Sequence, residues 1–511
     1  MPLLILIPAI CAILITMVGK KSISMRRFFT LLPCFVDFVL IALMAPNVFS
    51  GLYYSYTWVE VAPFAIRLKA DQFAVYMGLL ISFLFFFTMI YSFGYMEHER
   101  EQGQNRYYCS LILALGAAIG IIFSADLVSY FIFFEGLTMS VYPLVIHEES
   151  KEAYNAGVKY MVYLMSGGVL VLLGVVMTYG LTGKLSFTPG GIPALRQQSP
   201  MMLWILCLLF TGGFGFKAAI MPLHSWLPDA MIAPTPVSAV LHAVAVVNVG
   251  LSGFYRTFYN IIGIDVVQRI GFGPVLGVAT SITIIVSALI ALRQNEIKRM
   301  LAFSTVNQLS YVLLGLVSFE TLGMLGALLH IVYHSFMKIT LFYAAGAIIT
   351  QSGNKHISKM GGLAKKMPIT MAAFTIAAIG IIGLPPVAGW VSKWYLVQAF
   401  FSHPTGLNLF FGSTFILSGL IELGYFTPPI FLAYFKKPED NGNGQPDHGH
   451  TAHAAEHNVH TASHKREAPW TMLLPISVAA VISLFLGIWG SLPHYLAKMT
   501  LTALSGRMIN F

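Results

Sequence analysis

Residues 325–348 read LGALLHIVYHSFMKITLFYAAGAI, a run apolar enough to cross a bilayer as a helix that nevertheless holds His330, His334 and Lys338. At i, i+4 and i+8 the three side chains share one face, each about 40° round the helix and 6 Å along it from the last. A cation at mid-bilayer costs about 2.5–3.5 kcal/mol on insertion scales. Such a ridge suits water-bridged proton hops, because histidine titrates nearest to physiological pH. A polar stripe that only bonds helices together is the competing reading. Two histidines alone would fit that stripe; the added lysine turns the balance towards charge movement. Metal binding by His330 and His334 lacks a third ligand.

Working outward, further apolar runs lie near 3–19, 28–49, 73–95, 108–124, 126–145, 159–181, 202–221, 237–258, 272–293, 300–318, 370–401, 410–435 and 470–491, so with 323–350 there are about fourteen. The chain is 57% hydrophobic and 10% charged, where a soluble one carries about a quarter charged residues. The short alternating segments of a membrane β-barrel are not visible. The sequence predicts an all-α polytopic protein of the inner (plasma) membrane, one membrane domain over 1–511 embedded in the lipid bilayer. Run 3–19 has no basic segment before it and no small-residue cleavage site after it, so it reads as a retained first span.

Topology explains the net charge of +9. Loops after odd-numbered spans carry 19 of the 30 Lys and Arg, against 8 in even loops and the C-terminus. The positive-inside rule then puts odd loops in the cytoplasm and both termini outside, and no nucleic-acid partner is implied. Cys11, Cys34, Cys109 and Cys207 lie singly in spans, and no phosphate or dinucleotide loop is present. No metal or cofactor is therefore expected, and if electrons drive the protein, another subunit handles them. The polar insert 436–469 lacks Leu, Ile, Phe and Tyr and reads as a mobile cytoplasmic loop. Its His453, His457, His460 and His464 would share a face only if helical.

Two spans carry helix breakers. Span 7 runs through Gly212, Gly213 and Gly215 to Lys217 and meets Pro222; span 12 holds Gly383, Pro385, Pro386 and Gly389 ahead of Lys393. Both should be interrupted, and in lipid that is tolerated only where freed carbonyls face protein or a wet cavity. Discontinuous helices mark ion sites in secondary transporters, and the spacing of five spans hints at a repeat.

The remaining intramembrane ionisable groups are weighed one by one. Glu135 finds its natural partner in Lys217 if spans 5 and 7 are neighbours, either as a switch for the amine's proton or as a static pair. His242, alone on span 8, fits a hydrogen-bonded core residue better than a relay. Lys393 resembles Lys217 in setting. Asp37 and Glu422 have no evident partner. Lys298 and Arg299 sit at a span end, where snorkelling costs little.

The motifs FKAAIMPLHSWLPDAMIAPTPVSAVLHA (216–243), NEIKRMLAFSTVNQLSY (295–311), ALLHIVYHSFMK (327–338) and GWVSKW (389–394) together resemble the antiporter-like membrane subunits of respiratory complex I, Mrp cation/proton antiporters and membrane-bound hydrogenases. The resemblance covers roughly 65–435. It implies fourteen helices with two inverted five-helix repeats, over 108–258 and 272–435, broken helices 7 and 12, and a last span at 470–491. It also implies a proton-transfer set of Glu135, Lys217, His242, Lys298, His330, His334, Lys338 and Lys393. Asn248 stands where many relatives carry a lysine, and Trp394 where a complex I relative has an acid. The chain ends soon after span 14, so it looks like a single-module subunit of Mrp or hydrogenase type. The implied function is a proton-translocating subunit, itself non-catalytic, of an oxidoreductase complex, moving H+ beside sister antiporter-like subunits. Na+/H+ exchange without redox coupling, and a non-conducting structural partner, are the alternatives.

Overall fold

The computed structural model describes residues 1–61, 64–98, 103–437 and 467–506. Its long apolar runs become α1 (Leu3–Val18), α2 (Ile23–Phe49), α3 (Gln72–His98), α4 (Gln104–Ile122), α5 (Leu127–Val145), α6 (Lys151–Thr182) and α7 (Pro200–Ala218). There follow α8 (Trp226–Asp229), α9 (Thr235–Ala243), α10 (Val246–Thr257), α11 (Ile264–Arg269), α12 (Phe272–Leu292), α13 (Ile297–Leu316) and α14 (Thr321–Ser352). The last six are α15 (Leu363–Lys366), α16 (Pro368–Ile382), α17 (Gly389–Phe401), α18 (Gly406–Phe435), α19 (Trp470–Ile488) and α20 (Ser491–Ser505). Among the described residues, 11 segments are long and apolar enough to cross a membrane, and α1 and α16 are shorter apolar helices.

Both expected interruptions are present. α7 stops at Ala218, where Ala219 turns left-handed at φ 57°, and the chain reaches α9 through Pro222 and the short α8. α16 ends on left-handed Gly383, and α17 resumes after Pro385 and Pro386. Span 8, expected to be continuous, is split between α9 and α10. The side chains of Asn248 and Ser335 both donate to the Ala243 carbonyl (each 2.6 Å), drawing it out of the helical ladder.

The split segment and α14 form the centre: their apolar windows are 100% buried, against 28% for α2 and 33% for α19, which therefore face outward. α19 braces the second break, where the Ala388 amide donates to the Ser483 carbonyl (2.9 Å) and a Cβ on Gly487 would overlap the Pro386 carbonyl. Connections after expected even-numbered spans bond to one another: Lys69 N to Phe123 O (2.7 Å), Phe187 N to Ala125 O (3.0 Å) and Thr188 N to Asn260 O (2.9 Å). At the other end, Ile297 N bonds Lys355 O (3.0 Å) and Ile357 N bonds Asn295 O (2.7 Å).

Two elements lie outside the apolar-run reading. β1 (Tyr54–Val61) and β2 (Phe64–Ala70) form an antiparallel hairpin with Tyr54 opposite Ala70. Its aromatic and β-branched alternation, YSYTWVEV, is a strand signal that a count of long apolar runs passes over. α20 is amphipathic rather than uniformly apolar, and it packs on α3 and α14. The expected His-rich loop falls largely on 438–466, outside the described residues.

Candidate functional site

One face of α13 presents Ser304, Gln308 and Tyr311, at helical spacing, to the ridge of α14. Lys338 donates to Ser304 Oγ (2.7 Å) and to the Leu301 carbonyl (3.2 Å), while Tyr425 of α18 donates to the same Ser304 hydroxyl (3.1 Å). Two turns away, His330 lies between Gln308 Oε1 (3.1 Å from Nε2) and Ser392 Oγ (2.9 Å from Nδ1). The Gln308 amide donates to Glu422 Oε1 (2.7 Å), and Glu422 Oε2 accepts from Lys393 Nζ (2.6 Å). Tyr311 donates to Glu422 Oε1 (3.1 Å), and its ring lies 4.6 Å beneath the Lys393 amine. A continuous hydrogen-bonded chain thus runs His330–Gln308–Glu422–Lys393.

Glu422, without evident partner in the sequence, is therefore the carboxylate of an ion pair whose side chains are 0% and, for Lys393, 11% exposed. The ridge is real: His330 and His334 stack at 6.1 Å, and Lys338 follows on the same buried helix. His334 Nε2 has no hydrogen-bond partner in the protein.

The expected Glu135–Lys217 pair is not a direct contact. Lys217 donates to the carbonyl of Phe134 and lies 3.3 Å from that ring's centre. Both Glu135 oxygens lack a protein partner, and the carboxylate lies against Gly168 of α6, where a Cβ would overlap it. The peptide next to Glu135, rather than its side chain, holds the amine.

At the α9/α10 split, His242 stacks on Phe342 at 4.8 Å with neither ring nitrogen bonded, and Asn248 Oδ1 is also unpartnered. Asn248 donates to Ser335 Oγ (3.2 Å), the neighbour of His334. Buried polar atoms left unpaired by protein are the usual sites of ordered water. Lys298 is not a surface anchor: it is 8% exposed and donates to the Ala233 carbonyl (2.7 Å) before α9. Asp37, on α2, is buried with both oxygens unbonded and stands apart from these groups.

Sequence reasoning missed Ser304, Gln308, Tyr311, Ser392 and Tyr425. The spacing of the first three on one helix face was the available signal.

Residues 124–418 match the family model "NADH:quinone oxidoreductase/Mrp antiporter, TM", and 58–108 match "NADH-Ubiquinone oxidoreductase (complex I), chain 5 N-terminus". The chain belongs to the NADH:quinone oxidoreductase/Mrp antiporter family. Among the members of this family, NADH-quinone oxidoreductase subunit N of Desulforudis audaxviator is 31% identical over 503 residues, 95% of each chain. The fold is that of a chain in the membrane-bound sulfane sulfur reductase, an archaeal respiratory membrane complex (TM-score 0.84, 23% identity, 99% of this chain and 97% of that one). It is equally that of a chain in the Mrp complex from Dietzia sp. DQ12-45-1b (TM-score 0.84, 22% identity, 98% and 96%).

Proposed function

We propose that the chain is a proton-translocating, antiporter-like subunit of a multi-subunit membrane complex. The observation that carries this reading is the buried chain His330–Gln308–Glu422–Lys393, in which His330, Glu422 and Lys393 can each give or take a proton and the Gln308 amide holds the first two in line. Fourteen crossings, with 108–258 and 272–435 as inverted five-helix units and both termini outside the cytoplasm of the inner membrane, fit the helix order and the loop contacts.

Protons enter beside the first break and load Lys217, with Glu135 swinging to hold or release the charge. They cross the split at His242 and Asn248 by water and reach Lys338, His334 and His330. Glu422, held to His330 by the Gln308 amide, takes them through water and gives them to Lys393, from which they leave. Lys298 positions the α9 end of the split. Asp37 lies off this path. The partners are other membrane subunits, sister antiporter-like subunits among them; family membership is compatible with either redox-coupled pumping or Na+/H+ exchange.

The test is proton movement into vesicles containing the assembled complex. Lys217→Ala should abolish it, with assembly unchanged. Undiminished pumping would leave the chain a structural partner.

A further inference from the structure

A second set of buried polar groups lies at the end of the molecule where the hairpin and α20 meet, away from the Glu422–Lys393 pair. Tyr76 of α3 donates to the Leu328 carbonyl of α14 (3.1 Å). The Tyr255 hydroxyl of α10 and the Tyr333 hydroxyl of α14 have no hydrogen-bond partner in the protein, although both side chains are fully buried. Tyr255 packs on Phe73, one turn before Tyr76 on α3, with ring centres 5.7 Å apart, and Tyr333 stands five residues beyond Leu328 on α14. Tyr333 directly precedes His334 of the ridge, and its hydroxyl lies against half-buried Gly490, where a Cβ would sit 2.9 Å away.

Tyr255 leads in turn to a closed end. The next residue, Arg256, holds Asp71 through two bonds (2.6 and 2.9 Å) and lies over the Phe73 ring at 4.9 Å, itself 5.7 Å from the Tyr255 ring. Arg256 Nε and Gln72 Oε1 are again unbonded, and a cavity of about 70 Å³ opens between Asp71, Gln72, Arg256 and Asn260. Phenylalanine at the two positions Tyr255 and Tyr333 would have kept the rings without the desolvation cost of an unpaired hydroxyl, about 1–3 kcal/mol each.

Resting on the reading of the chain as a proton carrier, we propose that Tyr76, Tyr255 and Tyr333 form a central proton outlet, joined by ordered water, from the histidine ridge to the loop end closed by Asp71 and Arg256. Each hydroxyl oxygen receives a proton from one water as its own proton leaves to the next. One O–H bond forms for each that breaks, and no tyrosinate is left behind. The route and the Lys393 exit draw on the same ridge, and both stop when the Glu422–Lys393 pair is broken.

Tyr255→Phe and Tyr333→Phe keep the rings and remove only the hydroxyls, so packing is preserved. In vesicles carrying the whole complex, each should slow proton movement roughly ten-fold. Tyr259→Phe should run at the wild-type rate, because Tyr259 stacks on Tyr255 at 5.9 Å but turns its hydroxyl to Met324. Equal slowing by Tyr259→Phe would mean packing, not proton passage, and overturn the proposal. So would wild-type rates in Tyr255→Phe and Tyr333→Phe. If Lys217→Ala is dead in the same vesicles while those two pump normally, only the outlet is lost; if Lys217→Ala also pumps, the carrier reading itself fails. A water-resolving structure of the complex should further show water between Tyr76 and Tyr255 or Tyr333, and a dry contact there overturns the outlet.

Discussion

Lys393 and Glu422 are oppositely charged, 2.6 Å apart and almost wholly removed from solvent. Such a pair contributes little net stability against a well-packed apolar replacement, but removing one partner strands the other at a cost of about 3–5 kcal/mol. Glu422→Ala should therefore lower the thermal stability of the complex by that amount and stop proton movement. The double variant Lys393→Met/Glu422→Leu should regain most of the stability and none of the transport. Thermal unfolding and vesicle assays on the same preparations check both halves; a double variant that pumps would remove the pair from the path. The lysines were legible in the sequence because a cation inside an apolar run has no cheap explanation. Gln308 and Tyr311 were not, because a neutral amide or phenol in a helix is unremarkable until its acceptor is known. Glu422 was visible as a charge, but its partner on α17 required the fold.

Helices and their ends were legible where apolarity or prolines marked them, at α7, α16 and α17. The split of α9 from α10 was not, since it comes from Asn248 and Ser335 competing for one carbonyl across two elements. The hairpin and α20 were passed over because neither is a long apolar run. At this scale the Asp71–Arg256 contact ties the start of α3 to α10, with side chains 15% and 3% exposed. Burial pushes the Asp71 carboxyl up, but the Arg256 charge, its hydrogen bonds and the Ala74 amide outweigh this and hold it below its usual value. A carboxyl depressed in the folded state adds stability that is complete above its unfolded value, about 4. That stability is lost as pH falls through the lower folded value. Asp71→Asn should lower stability by about 1.5–3 kcal/mol at neutral pH, and the gap to wild type should close as pH falls below about 4. Melting curves of the solubilised complex across that range read it directly; a gap that stays constant in acid would show that the charge is not what ties the helices.

Over the whole molecule, Lys217 and Lys393 each stand by a broken helix, and the buried split of α9–α10 lies between them with unbonded His242 and Asn248. If these are stations on one path, blocking any station removes the whole flow, and blocking a second removes nothing more. Independent routes would give losses that multiply, as distant sites normally do. Lys217→Ala, Lys338→Met and their double variant should therefore show one shared residual rate of proton movement. The assay should be run in sodium-free medium and again with sodium on the opposite side. Equal wild-type rates would identify the proton as the only ion moved. A rate that vanishes without sodium would identify exchange, and the axis would then have to carry one ion each way. Residual rates in the double variant well below either single one would separate the two halves of the molecule and end the single-path account.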